Sequence, residues 1–164
     1  MGQFTNKILA EFQPPKKWKL GRDLVYTTSD LFANEIKSLQ DVGVEVKRDT
    51  DISPEAIITV PTGFITDLAS TPRLLWNVIA PFDVARAAIV HDLLYKAIRT
   101  YRWNKGANEE DKELIANAKK ASDKVFHLAM KDADPKVSGW KIYSAWKAVD
   151  LFGRWSIIPN EKNI

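Results

Sequence analysis

No cysteine occurs among the 164 residues. This excludes a disulfide framework, a thiolate zinc site and a cysteine nucleophile. An excess of one charge is also missing: 24 basic and 21 acidic side chains leave a net charge of +3. The positive excess is spread along the chain. Residues 1–60 carry eight basic and nine acidic groups, residues 61–104 five and three, and residues 105–164 eleven and nine. Specific DNA binders gather positive charge on one face, so nucleic acid is an unfavoured partner. No apolar run reaches the ~18–20 residues of a transmembrane helix. The first ten residues hold one lysine and no apolar run, unlike a signal peptide. The expectation is a protein that stays where it is made, or leaves by lysis or in a particle.

The hydrophobic share of 45% and charged share of 27% fit a globular chain. A chain near this length buries ~68–70% of its unfolded surface and folds without staples. The pattern predicts one α+β domain over residues 1–164: a small antiparallel β region packed on a bundle of three to four helices. The β-rich part covers residues 1–66, the helical part 71–153 and a C-terminal tail 154–164. Ala56 to Val60 is a β-branched run between Pro54 and Pro61, a strand signature. Leu24 to Tyr26 and Phe64 to Thr66 also read as strand. A helix over 29–42 would start at Ser29 and stop at Gly43. Later helices are expected over 73–79, from Val84 to about Arg102 with Asp83 as cap, from Asp111 to about Asp132, and from Lys136 to Phe152 with Gly153 as the stop.

The helix from Val84 carries the chemistry. At roughly 100° per residue, Val84, Ala88, His91 and Tyr95 fall in one narrow sector. The rest of the circumference is largely apolar, so the helix should be buried. Burying His91 and Asp92 is costly unless each meets a partner. A core histidine bonded to a carbonyl is the bland alternative. Asp123 lies off the main apolar stripe of its helix, which suggests solvent, yet Phe126 and Met130 share its side. His127, one turn on, could join it as a metal ligand, though such pairs are usually solvated. Asp67 sits in a loop between strand and helix, as a functional residue or an Asx-turn. Ser70 lacks the glycine elbow of a hydrolase nucleophile.

The blocks VPTGFITDLASTPRLLW, HDLLY, SDKVFHLAM and AVDLFG resemble a family of short phage and prophage proteins known only as a domain of unknown function. The likeness spans about residues 56–153. It implies phage or prophage origin, with other phage structural proteins as partners, the host cytoplasm as the site of assembly and the particle as the destination. It implies no activity. DVARAAIVHDLLY also resembles the active-site helix of secreted and parvovirus-type phospholipases. That resemblance implies His91 as general base, Asp123 as its orienting group, Tyr95 as a brace for Asp123, and Asp92 as a ligand of calcium. The glycine-rich calcium loop is missing before the helix, and Asp67 could stand in for it.

Three functions follow. The first is a phage tail or tail-tip protein with a His-Asp hydrolase-like site acting on envelope lipid or peptidoglycan. The second is a structural or assembly component with a buried polar network. The third is a single-strand nucleic-acid binder using Lys96, Arg99, Arg102 and Lys105 with Tyr101 and Trp103. Access separates the first two. A catalytic histidine has its second nitrogen open to a pocket, whereas a structural one has both nitrogens bonded to protein. A His91–Asp123 pair that forms but is sealed favours the particle component over the enzyme. Six tryptophans, with Ile157 and Ile158 in the tail, point to docking on a neighbouring chain or on the chain's own sheet.

Overall fold

The computed structural model describes residues 2–48, 55–66, 84–105, 111–134 and 136–164. Among them the elements run β1 (Gln3–Phe4), β2 (Ala10–Gln13), β3 (Lys17–Leu20), β4 (Leu24–Thr28), α1 (Ala33–Asp41), β5 (Val46–Arg48), β6 (Ala56–Val60), β7 (Ile65–Thr66), α2 (Ala85–Lys105), α3 (Lys112–Lys131) and α4 (Gly139–Ser156). The fold is α+β, as the pattern predicts. The strands form two antiparallel sheets, ordered β1-β4-β6-β5 and β2-β3-β7.

The larger sheet obeys the period of two. Leu24, Tyr26 and Thr28 of β4 are buried opposite Val60, Ile58 and Ala56 of β6, so one face is closed and the other partly wet. Fully burying each large side chain there contributes ~1.5–3 kcal/mol. The buried face meets α2, which also packs on α3; α3 in turn packs on α1 and α4. Buried residues from Leu20 to Ile157 join in one core. The Tyr26 hydroxyl donates to Asp132 Oδ2 at 2.8 Å, and the Gly2 N–H does so at 3.0 Å, tying the sheet to the end of α3.

Several expected boundaries move. Ser29 is not the cap of α1; the helix begins after Phe32, whose N–H donates to Glu35 Oε2 at 2.8 Å. Thr28 Oγ1 accepts the Asp30 N–H, which bends the chain away from helix at that point. Gly43 does end the helix, with φ +92. Its N–H reaches the Gln40 carbonyl and that of Val44 reaches Leu39, the paired bonds of a Schellman stop. Gly153 is no stop: α4 continues through it to Ser156. A Cβ at 153 would collide with the Tyr95 hydroxyl, so the glycine lets α4 approach α2. Ile157 is buried beside α2, with its carbonyl held by Arg102 Nη1 at 2.8 Å, while Ile158 is exposed. Ile157 therefore docks at a helix, while Lys162 to Ile164 line a cavity with Lys17 of β3 and Thr66 of β7. The helix expected over 73–79, the Asp83 cap, Ser70 and Asp67 lie outside the described residues.

Candidate functional site

Almost every side of α2 is buried, including His91, Asp92, Leu94 and Tyr95. His91 is 1% exposed, Tyr95 2%, Asp123 4% and Asp92 8%. The off-stripe position of Asp123 does not lead to solvent, because Phe126 and Met130 build a second apolar face on α3 and both are buried.

The structure brings together His91, Tyr95 and Asp123. His91 Nε2 lies 3.2 Å from Asp123 Oδ1, and the Tyr95 hydroxyl donates to that same oxygen at 2.7 Å. The other oxygen, Oδ2, accepts from Lys119 Nζ at 2.6 Å. Lys119 also reaches the Asp150 carbonyl of α4 at 3.4 Å, so the network spans three helices. The imidazole lies 4.0 Å from the Tyr95 ring and 4.9 Å from that of Phe126, centroid to centroid.

An ionised carboxylate only accepts, which makes His91 Nε2 the donor and leaves a lone pair on Nδ1 of the neutral ring. Nδ1 is buried and has no hydrogen-bond partner among the described residues. Burial pushes the His91 pKa below the ordinary histidine value, against the opposing pull of Asp123. Burial alone would raise the Asp123 pKa; the donors His91, Lys119 and Tyr95 outweigh it and hold the carboxyl below its usual range. Burial also raises the Tyr95 pKa, so its hydroxyl stays a donor.

Asp92, the next residue, leads elsewhere. Its Oδ2 accepts the hydroxyl hydrogen of Thr66, at the end of β7. The two line a cavity of about 330 Å³ together with Lys17, Lys96, Arg99 and Lys162. Calcium takes six to eight oxygen ligands. The described lining offers Asp92 as a side-chain carboxylate, beside Thr66, Asn163 and four cationic side chains. The described residues also contain no cluster of three or more His, Asp or Glu suited to a metal. Asp67, the other expected ligand, is outside them. His127 does not join Asp123; its ring packs edge-on to Trp146 at 5.5 Å.

The basic residues expected for nucleic acid are partly engaged within the fold. Arg99 Nε donates to the Asn163 carbonyl at 2.7 Å, Arg102 holds Ile157, and the Tyr101 hydroxyl donates to Asp111 at 2.9 Å. Sequence reasoning missed Lys119, Thr66 and Gly153. The four-residue spacing of Lys119 and Asp123 on one helix was a usable signal. Thr66 meets Asp92 only through tertiary packing.

The chain belongs to the family described as "Protein of unknown function (DUF1353)", whose model matches residues 43–149. The match begins ahead of the expected 56, at the glycine that ends α1, and stops within α4. No phospholipase family is shown, and no curated protein or solved structure matches the chain. No helix among the described residues is long and apolar enough to cross a membrane.

Proposed function

We propose that this protein is a structural or assembly component of a phage particle, in which His91, Asp123, Tyr95 and Lys119 fix the packing of α2, α3 and α4. One observation carries the role of the network: His91 is 1% exposed, as befits a side chain that packs rather than one that meets substrate. All three donors to Asp123 come from the protein, which is how a buried carboxylate is made tolerable. The phage setting is supported by the block resemblance around TDLASTP, HDLLY and SDKVF. A tail or tail-tip position, with the host cytoplasm as the place of assembly, is the finer form of this reading. Mass spectrometry of purified particles tests it: stoichiometric presence of the chain is expected, and its restriction to the lysate would contradict the assignment.

A second reading is favoured by the lone pair on His91 Nδ1, because a structural histidine is expected to have both nitrogens bonded to protein and here only Nε2 is. A buried acceptor without a donor costs ~1–3 kcal/mol, and retention of such an atom fits a base. Here the protein is a hydrolase acting on envelope lipid or peptidoglycan in a more open form. His91 would take a proton from water at Nδ1 while Asp123 holds Nε2 and Tyr95 braces Asp123. His91→Gln separates the readings. With phosphatidylglycerol vesicles or purified sacculi, with and without calcium, the structural reading expects no turnover by either protein. Turnover by the natural chain that the variant loses would establish the hydrolase.

A further inference from the structure

We infer that the outward face of α4 docks on an anionic lipid surface. No side chain of that face joins the His91 network, so the docking is independent of whether His91 is structural or catalytic. The buried residues of α4 are Ile142, Ala145, Val149 and Gly153. At about 100° per residue, Trp140, Lys147 and Leu151 fall on the opposite side, with Tyr143 and Arg154 on one flank and Trp155 on the other. Trp140, Tyr143, Leu151, Phe152 and Trp155 are each more than half exposed. Among the described residues, three of the four exposed tryptophan and tyrosine side chains lie on this helix, and Trp103 is the fourth. Exposed apolar surface gathered in this way marks an interaction site, whereas single exposed side chains do not.

Charge selects the occupant. Residues 136–158 hold four basic side chains, Lys136, Lys141, Lys147 and Arg154, and one acidic, Asp150. That local excess is larger than the excess of residues 61–104 or of residues 105–164 as a whole. Asp150 answers Lys147 only at 3.8 Å, and both are exposed enough for water to screen the pair. The cations sit among the rings. The Arg154 guanidinium carbon lies 4.2 Å from the centre of the Trp155 ring, and Lys147 Nζ lies 5.3 Å from that of Trp146. Two copies joined through this face by a two-fold axis would set these cations against their own images. An anionic membrane surface offsets them all and needs no matching groove. Tryptophan and tyrosine favour the boundary between hydrocarbon and water, where the ring meets apolar matter and the N–H or O–H stays wet. Lysine and arginine beside them reach the headgroup phosphates. No described helix is long and apolar enough to cross a membrane. α4 would therefore lie along the surface, as interfacial helices do.

Cosedimentation of the full chain with phosphatidylglycerol vesicles, against phosphatidylcholine vesicles, tests the face. Binding is expected on the anionic vesicles and should be weaker on the neutral ones. Trp140→Ala and Trp155→Ala should each weaken it about tenfold, through the apolar area removed. Lys147→Gln and Arg154→Gln should each weaken it about fivefold at low salt. Trp103→Ala, at an exposed tryptophan of α2, should leave it unchanged. All five side chains are partly or fully exposed, so the variants should fold, and an unchanged melting temperature verifies that. Failure to bind phosphatidylglycerol vesicles would overturn the lipid surface and leave the face to a protein. Equal binding to neutral vesicles, retention of binding by the α4 variants, or an equal loss in Trp103→Ala would also overturn it. So would a dimer, seen by sedimentation equilibrium, that Trp140→Ala disperses, because the face would then belong to a second copy.

Discussion

His91 and Asp92 are neighbours in the chain and end in different surroundings. His91 enters a sealed network shared by α2, α3 and α4, with Asp123, Tyr95 and Lys119 as its members. Asp92 turns toward β7 and faces a cavity ringed by cations. One helix thus serves two purposes, because residues one apart point about 100° apart. The closed side bears on how the helices are held. The open side lines a cavity between α2, β3, β7 and the tail. Treating the pair as one motif hides that division.

Removing the centre of the closed side should have the largest effect. Asp123→Ala strands Lys119 and His91 without their acceptor, and chemical denaturation should show a loss of ~3–5 kcal/mol. A loss below about 1 kcal/mol would mean that the network is ornamental. Gly153→Ala comes next: the added methyl meets the Tyr95 hydroxyl, and overpacking of this kind costs ~1–3 kcal/mol. Tyr95→Phe in the same chain should recover part of that loss, a coupling measurable by a double-mutant cycle. On the open side, Thr66→Val should cost ~1–2 kcal/mol by taking a donor from Asp92. His127→Gln should change stability by under about 0.5 kcal/mol, since its ring is only partly buried and has no bond to Asp123.

Acid should separate the two sides as well. The folded-state pKa of His91 is depressed, so the unfolded chain takes up the proton first as pH falls below the ordinary histidine value of 6.5. The contribution of His91 is fully present above that pH and is lost below it, by up to about 1.4 kcal/mol per pH unit. Asp123 adds a second loss as pH falls below 3.8, because its pKa is also depressed in the folded state. His91→Gln should remove the first slope and shrink the second, because His91 is the foremost of the donors that hold Asp123 down. Melting temperatures across pH 2–8 would show both.

The sequence made much of the closed side legible. The helical period puts His91 and Tyr95 in one sector of a buried helix; Asp123 as their shared partner comes from the resemblance to the phospholipase helix, since its place on its own helix suggests solvent. The strand over 56–60 was bounded by prolines and appears at those residues. What failed were the ends that tertiary contacts decide. Gly153 carries the local mark of a helix stop, but its use is close approach to Tyr95. Ser29 carries the mark of a cap, but Thr28 and Glu35 shape that entry. The open side was the least legible. Its four cations come from β3, α2 and the tail, and no spacing along the chain relates them.

The most direct test of the central claim is nitrogen-resolved NMR of the His91 imidazole in the intact protein. The account predicts a neutral ring with its hydrogen on Nε2, slow exchange of that hydrogen with water, and no protonation of Nδ1 until pH is well below 6.5. Rapid exchange, with Nδ1 titrating near 6.5, would contradict a sealed structural histidine and leave the open, catalytic form as the correct one.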